Sequence, residues 1–138
     1  MIDSFRGRYF FLSNYYPCDF VWEGLLYRNA EAAFQSAKCT DTIGRLNFTN
    51  LSPNLAKAKG RKIYLRDDWE SIKDDTMLNI IRAKFKNPKL SRKLIATGDQ
   101  ELIEGNTWND TYWGVCNGIG KNKLGQILMQ VREELKNT

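Results

Sequence analysis

Three polar residues that could share acid–base chemistry recur along the stretch 28–38, RNAEAAFQSAK. Glu31, Gln35 and Lys38 follow the i, i+4, i+7 spacing of one helix face, while the alanines and Phe34 follow a second, apolar face that suits a core. A carboxylate one or two turns from a lysine can act as a base or stabilise a developing positive charge. The polar face is therefore either a solvated surface or the wall of a site.

A second candidate carboxylate is Asp110, which lies between Trp108 and Trp113 in the stretch 105–123. This stretch has four glycines and no clean periodicity, and a long irregular loop in a small domain is uncommon unless it builds a site. Aromatic side chains there could exclude water or stack on a base. By residue type alone, Glu31 also fits a surface helix position, and Asp110 also fits a turn.

The residues that are missing narrow the chemistry further. The chain has no histidine, which excludes Ser/His and Cys/His catalysis and histidine-ligated metals. Its three cysteines are widely spaced and form no CxxC pair, so they are expected to be reduced thiols rather than disulfides or zinc ligands. The stretch GVCNGIGK matches no phosphate-loop motif. We expect neither a metal nor a cofactor.

Charge and hydropathy suggest the partners and the compartment. The net charge of +5 favours phosphorylated or polyanionic partners, although solubility alone also explains such a charge. No apolar run reaches the roughly 18 residues of a membrane helix, and the N-terminus lacks the pattern of a signal peptide. We therefore expect a cytoplasmic protein without a membrane partner.

Short strands and then helices are expected to position these residues. RYFFLSN and CDFVWEGLLYRN read as strands, with a tight turn at Glu23-Gly24, and Asn29 reads as the N-cap of the helix that carries Glu31. Ser52-Pro53 begins a helix that stops at Gly60.

The second half of the chain reads as three further elements and the irregular stretch. Asp67-Asp68 caps a long helix whose apolar face includes Lys84, which either snorkels to solvent or points into a pocket. Asn87-Pro88 begins another helix that ends at Gly98. Residues 102–104 suggest a short strand, and Asn122 is a candidate cap for the last helix, LGQILMQVREEL.

Seven blocks of sequence, in order, resemble the YbiA-like family of the NADAR (NAD and ADP-ribose associated) superfamily over about residues 11–135. They are FLSNYYPCDF, GLLYRNAEAAFQSAK, AKAKGRK, RDDWESIKDDTM, RAKF, LIEGNTWNDTYWG and GIGKNKLGQILMQVREEL. The resemblance implies one domain over residues 1–138 with an α+β fold, mainly helical, and short N-terminal strands in a hairpin. It also implies a cofactor-free N-glycosidase, a hydrolase that cleaves the bond between ribose C1 and an amino nitrogen of a heterocycle.

Two substrate classes are implied by the same resemblance. One is the phosphoribosylamino pyrimidine intermediates of riboflavin biosynthesis, and the other is ADP-ribose on guanine bases of DNA or RNA. The resemblance matches Glu31, Trp69 and Asp110 to the family's functional positions. Lys38 is a fourth expected catalytic residue, because it shares a helix face with Glu31. From charge and shape, we expect Arg8, Arg61 and Lys84 to bind phosphates and Trp69 or Trp113 to stack on the base. The other expected substrate-binding residues are Ser13, Asn14 and Gly114.

The sequence leaves two mechanisms and one alternative function open. A carboxylate at Glu31 or Asp110 could activate water, or a lysine could intercept the ring-opened imine as a Schiff base, with Lys38 the first candidate and Lys84 the second. The alternative is a non-catalytic module that binds ADP-ribose or nucleic acid through basic and aromatic side chains. Neither the substrate nor the oligomeric state follows from the sequence.

Overall fold

A computed structural model describes residues 1–138 and shows an α+β protein that is mainly helical, as predicted. The chain divides into two compact units. The central unit is Asn14–Lys84, and the terminal unit combines Met1–Ser13 with Phe85–Thr138. The prediction of one domain over residues 1–138 stays a prediction, and each unit is described by itself.

The central unit begins with the predicted hairpin. Strands β1 (Phe20–Trp22) and β2 (Leu25–Tyr27) pair antiparallel. Glu23 and Gly24 form the turn with φ of 47° and 82°. Positive φ at both central residues is typical of a two-residue turn that matches the twist of the strands. This part of the sequence prediction is confirmed.

Four helices complete the central unit. They are α1 (Ala30–Ser36), α2 (Thr42–Leu46), α3 (Pro53–Gly60) and α4 (Trp69–Lys84). The predicted caps are present: the side chain of Asn29 accepts from Ala32 N and that of Ser52 accepts from Leu55 N. Helix α2 was not predicted, although Asp41 caps it in the usual way, by accepting from Gly44 N.

The apolar face of α1 packs where the sequence indicated. Helix α1 contacts α3, α4 and strand β2, and Phe34 on that face is buried. Met77 and Ile80 of α4 are buried as well. Because the apolar face is fully used in this packing, the orientation of the polar face of α1 is fixed.

One strand prediction is wrong in the terminal unit. RYFFLSN is not a strand, since Gly7–Leu12 forms a 3₁₀ helix. Gly7 has a φ of 57°, and Ser13 N donates to Phe10 O at 2.9 Å. The adjacent residues Phe11 and Leu12 are both buried, whereas a half-buried strand would bury alternate residues. A short apolar run without alternation cannot distinguish these states.

A second strand prediction in this unit was also wrong. Residues 102–104 form only an isolated parallel bridge between Ile2 and Leu102. The true strands, β3 (Gly105–Asn106) and β4 (Val115–Cys116), pair parallel just beyond. Strands of two residues are too short to show alternation, and the Gly and Asn of β3 are depleted in strands.

Two helices complete the terminal unit, and a capping prediction fails at one of them. Helices α5 (Pro88–Ala96) and α6 (Lys123–Lys136) pack on each other. Asn122 precedes α6 but makes no capping hydrogen bond. Its side chain instead accepts from Glu104 N at 3.0 Å and donates to Leu102 O at 2.9 Å, so it braces the preceding segment. None of the helices is long and apolar enough to span a membrane.

Candidate active site

Helix α1 fixes Glu31 at its first turn, where a carboxylate suits the positive end of the helix. The backbone N of Glu31 donates to Asn14 O at 3.0 Å. Its carboxylate accepts from Gln35 Nε2 at 2.7 Å through Oε2. Both the backbone and the carboxylate of Glu31 are therefore held in place, as a catalytic group requires.

Lys38 lies two turns after Glu31 and is half-buried. Burial lowers the pKa of its ammonium; the Glu31 carboxylate opposes this shift, and the positive charges of Arg61 and Lys57 add to it. A lowered pKa increases the fraction of neutral amine, which is the nucleophilic form. The structure thus places the Glu31 carboxylate close enough to Lys38, the first candidate lysine, for their charges to interact.

Trp69 forms part of the same region. Its indole is buried, and its ring centroid lies 5.0 Å from that of Phe34 on α1. Lys38 Nζ lies 5.8 Å from the centroid of the Trp69 ring, within the range of a cation–π contact. Trp69 therefore supports the lysine and forms an apolar wall beside it.

Two neighbours of Glu31 were not among the predicted catalytic or binding residues. Burial and the Glu31 charge raise the pKa of Tyr15, while Arg61 lowers it, so all three groups interact. Gln35 is 6% exposed and holds the carboxylate directly. Gln35 shares a helix face with Glu31 and Lys38, and this periodicity was the available signal. Tyr15 gave no comparable signal.

Asn14, a predicted binding residue, lies at the start of the central unit and is 9% exposed. Its Nδ2 donates to Met77 Sδ at 3.6 Å. Its Oδ1 is buried without a hydrogen-bond partner. Together with the carbonyl that accepts from Glu31 N, these contacts make Asn14 a support for the helix that carries the carboxylate. Arg61, by contrast, is exposed.

Lys84 is fully buried, at 0% exposure, on the apolar face of α4. Of the two alternatives for Lys84, snorkelling to solvent is the commoner in proteins. The structure does not show it here. Burial lowers its pKa to about 8, opposed by Cys18, and its Nζ lies 5.8 Å from the Tyr16 ring centroid. A phosphate or sugar cannot reach an ammonium with no exposed surface unless the surrounding structure moves.

Asp110 belongs to the terminal unit and organises its loop. Its Oδ1 accepts from Tyr112 N at 3.2 Å and from Trp113 N at 2.9 Å. Its own backbone N and O bond to Asn106, the N donating to Oδ1 at 3.1 Å and the O accepting from Nδ2 at 2.9 Å. One carboxylate oxygen thus fixes the backbone, as the turn interpretation of Asn-Asp implies.

The remaining predicted binding residues also lie in the terminal unit. Trp113 is half-exposed and its ring stacks edge-on against Tyr112, with 4.9 Å between centroids. Gly114 is buried, and a Cβ there would overlap Glu104, so this glycine is required for packing. Arg8 is exposed, 5.0 Å from the Tyr9 ring centroid, and Ser13 caps the 3₁₀ helix.

The central unit places a carboxylate, Glu31, in electrostatic contact with an amine, Lys38. No group of three or more His, Cys, Asp or Glu side chains is placed to hold a metal ion. Glu31 can accept a proton or stabilise a cation, and Lys38 can act as an amine nucleophile. A carboxylate, an amine and an aromatic wall together suit cleavage at an electrophilic sugar carbon.

Comparison with known proteins gives a consistent assignment. The sequence profile of the NADAR domain matches residues 4–136. The chain is 37% identical over 128 residues to N-glycosidase YbiA of Shigella boydii, covering 89% of this chain and 79% of that protein. The NMR structure of the E. coli protein YbiA superposes with a TM-score of 0.85 and 34% identity, covering 99% of this chain and 88% of that one.

A longer relative matches as well. The chain is 36% identical over 131 residues to riboflavin biosynthesis protein VVA0006 of Vibrio vulnificus, covering 91% of this chain but 35% of that protein. The chain thus spans about a third of the length of that relative.

The chain belongs to the NADAR family. Its YbiA-like fold is confirmed by the superposition, and its enzyme class, a hydrolase of N-glycosyl bonds, is confirmed by the N-glycosidases that it resembles along most of their length.

Proposed function

We propose that the chain hydrolyses the bond between ribose C1 and the exocyclic amino nitrogen of a phosphorylated ribosylamino pyrimidine. The observation that carries this proposal is the arrangement in the central unit, where Glu31 is held by Gln35 and acts electrostatically on Lys38. The name of the Vibrio relative, a riboflavin biosynthesis protein, supports this substrate class.

Direct attack by water is the first route. Water adds its oxygen to C1 as the C–N bond breaks, Glu31 takes the proton from water, and the leaving nitrogen gains a proton to become the free amine. Positive charge builds at C1 and the ring oxygen in the transition state, and a fixed carboxylate stabilises it. In this route Lys38 assists by its charge and position.

Imine exchange on Lys38 is the second route. The ribosylamine opens, so that C1 becomes an imine of the heterocyclic amine and the ring oxygen takes a proton. The neutral amine of Lys38 adds to C1 and expels the heterocyclic amine, which leaves an imine between Lys38 and the sugar. Water then hydrolyses this imine and releases both the ribose phosphate and the lysine.

The lowered pKa of Lys38 supports the second route. Its partial exposure does so too, in contrast to Lys84, which has no exposed surface. We therefore propose Lys38 as the Schiff-base residue. Lys84, the second candidate, is proposed neither for catalysis nor for phosphate binding.

Binding roles follow from charge and shape. Arg61 is exposed and acts electrostatically on both Lys38 and Tyr15, which supports a contact with the substrate phosphate. Trp69 is proposed as an apolar wall next to the lysine. Asp110 remains a proposed second carboxylate on the strength of the family resemblance, and Arg8 and Trp113 remain proposed phosphate and base contacts because of their charge and shape.

One observation favours ADP-ribose on nucleic acid as a second substrate. No acidic residue occurs between Thr76 and Gly98. In and just before α5, this stretch exposes four basic side chains to solvent: Lys86, Lys89, Arg92 and Lys93. A basic face without carboxylates attracts a phosphodiester backbone, with an affinity that falls steeply with salt.

Turnover assays test the proposal. The purified chain is incubated with the phosphoribosylamino pyrimidine and, separately, with an ADP-ribosylated guanine oligonucleotide, and release of sugar is followed by mass spectrometry. Release from the pyrimidine supports the first substrate, and release only from the oligonucleotide supports the second. If the folded protein binds either compound but releases no sugar from it, the chain is a binding module.

A further inference from the structure

Gln35 is a buried amide that contacts the proposed catalytic carboxylate. It lies one helical turn after Glu31, is 6% exposed, and donates from Nε2 to Glu31 Oε2 at 2.7 Å. Residues spaced by four on a helix are surface neighbours, and a hydrogen bond to an ionised acceptor is among the stronger ones. The bond fixes one oxygen of the carboxylate.

The other end of the same amide has no hydrogen-bond partner. Gln35 Oε1 is buried and unsatisfied, which is unfavourable for a buried polar atom. Turning the amide over would place its oxygen against an ionised carboxylate oxygen, and both are acceptors. The orientation that leaves Oε1 unsatisfied is therefore the one that serves Glu31.

Gly60 explains why this orientation fits. It ends helix α3, which packs against α1. A Cβ at Gly60 would overlap Gln35 Oε1 and come within 2.8 Å of Gln35 Cδ. Gly60 is not among the residues with positive φ, so its own backbone does not require glycine, and alanine is the better helix former. The contact that excludes a side chain at this position is the Gln35 amide.

We propose that Gln35 is a positioning residue for Glu31, and that Gly60 is needed because it leaves space for the Gln35 amide. This inference rests on the proposed function, in which Glu31 is the reacting carboxylate. Gln35 itself touches no reacting atom. It sets the direction of Glu31 and favours the ionised form, because a hydrogen bond donated to a carboxylate stabilises its charge.

Two variants test the proposal by different means. Gln35→Met keeps the length of the side chain and removes the donor, while Gly60→Ala keeps Gln35 and displaces it. We expect each to lower kcat about 10- to 100-fold, because small displacements of a catalytic group have effects of this order. KM should change less than about threefold. The acidic limb of the pH–rate profile of Gln35→Met should move to higher pH, since the carboxylate loses its donor.

A neighbouring buried residue supplies the matched control. Ser36 follows Gln35 on α1, and its Oγ bonds to Ala33 O at 2.7 Å and to Tyr27 OH at 2.8 Å. Ser36→Ala removes buried hydrogen bonds from the same helix without touching Glu31. It should lower thermal stability while the pH–rate profile stays in place, which separates a general weakening of α1 from the loss of positioning.

Glu31→Gln distinguishes failure of this inference from failure of the proposed function. If Glu31→Gln remains active, the proposed role of Glu31 is wrong. If Glu31→Gln is inactive while Gln35→Met and Gly60→Ala keep kcat within about twofold and the pH profile is unchanged, the positioning role is wrong. In support of the proposal, Gln35→Met should have little further effect in the Glu31→Gln background, because coupled residues are not additive.

Discussion

The polar face of α1 and the loop around Asp110 use their side chains in opposite ways. On α1, a side chain holds a side chain: Gln35 donates to Glu31. In the loop, side chains hold the backbone: Asn106 Oδ1 accepts from Trp108 N and Asp110 N, and Asp110 Oδ1 accepts from two further amides. Beyond its first turn a helix satisfies its own amides, whereas an irregular loop needs other acceptors, here side-chain oxygens.

The difference shows which polar groups remain available for chemistry. The Glu31 carboxylate accepts from a side chain, whereas the Asp110 carboxylate accepts from two backbone amides of its loop. Both buried side-chain oxygens without a partner, Asn14 Oδ1 and Gln35 Oε1, belong to the central unit, so unfavourable polar groups are retained there. Exceptions of this kind are expected at functional or strained sites, which agrees with the site proposed on α1.

The largest expected effect is at Glu31. Glu31→Gln keeps the size of the side chain and removes the charge and the basicity, so turnover should fall about 10²- to 10⁴-fold, the usual contribution of an acid–base group. Binding of the substrate should persist and can be measured by calorimetry. Thermal stability should change little, because glutamine keeps the size of the side chain and an oxygen that can accept from Gln35 Nε2. A Glu31→Gln variant with more than half of the wild-type kcat would contradict the chemical role of the α1 face.

Lys38 is expected to show the next largest effect. Lys38→Met removes the amine, and we expect about a 10²-fold loss of turnover together with loss of the borohydride-trapped sugar adduct on the enzyme. Lys38→Arg should lose the adduct too, since a guanidinium is not deprotonated in proteins.

Lys84→Met is the matched control for trapping, because that lysine is buried to 0% exposure and should not form the adduct. The adduct should therefore be abundant in Lys84→Met and absent in Lys38→Met. A trapped adduct located on Lys84 by peptide mapping would reverse the assignment. No adduct in the wild-type enzyme during active turnover would favour direct attack by water.

Lys84 also yields a pH prediction for stability. Its pKa falls from 10.5 to about 8 on burial, so between these values the unfolded chain binds a proton that the native state does not. Burial of Lys84 costs stability below this window, and the cost disappears as the pH rises through it, so that stability should increase by about 3 kcal/mol when the change is complete. In denaturant unfolding, the stability of the wild type relative to that of Lys84→Met should increase from pH 7 to pH 10.

The difference between the two proteins is the quantity to follow, because other groups titrate nearby. Burial raises the pKa of Cys18 and Tyr27, and such groups lower stability as the pH rises through the window. Lys93→Met, at an exposed position, serves as the control and should change stability by less than about 0.5 kcal/mol. A pH-independent difference for Lys84→Met would show that Lys84 stays charged.

Three of the four helices of the central unit, α1, α3 and α4, could be predicted because their signals are local, whereas α2 was missed. Asn29 and Ser52 cap helices in the structure as their sequence positions indicated. Each signal depends on one or two residues and the helical period. The same local logic failed at Gly7–Leu12, where tertiary packing buries adjacent aromatic and aliphatic residues in a 3₁₀ helix.

The candidate site could be predicted only in part, because some of its contacts are local and others join distant parts of the chain. The spacing of Glu31, Gln35 and Lys38 showed a shared face, and the structure shows that this face is buried enough to lower the pKa of Lys38. The overlap that a side chain at Gly60 would make with Gln35 joins two helices far apart in sequence. No periodicity indicates it, so the sequence suggested only a helix stop there.

The smallest expected effects concern the Asp110 loop, and they test the comparison most directly. Asp110→Ala leaves the amides of Tyr112 and Trp113 without their acceptor, which should lower stability by about 1–3 kcal/mol. Asp110→Asn keeps an oxygen in place and should cost about 1 kcal/mol or less, because a neutral acceptor still bonds both amides. Asp99→Ala removes an exposed ion pair with Lys136; it should leave stability nearly unchanged and is the control. The turnover of Asp110→Asn then decides between two interpretations. Turnover near that of the wild type would leave Asp110 a structural residue, whereas a loss as large as that of Glu31→Gln, in a loop that is still folded, would mean that its charge also acts on the substrate.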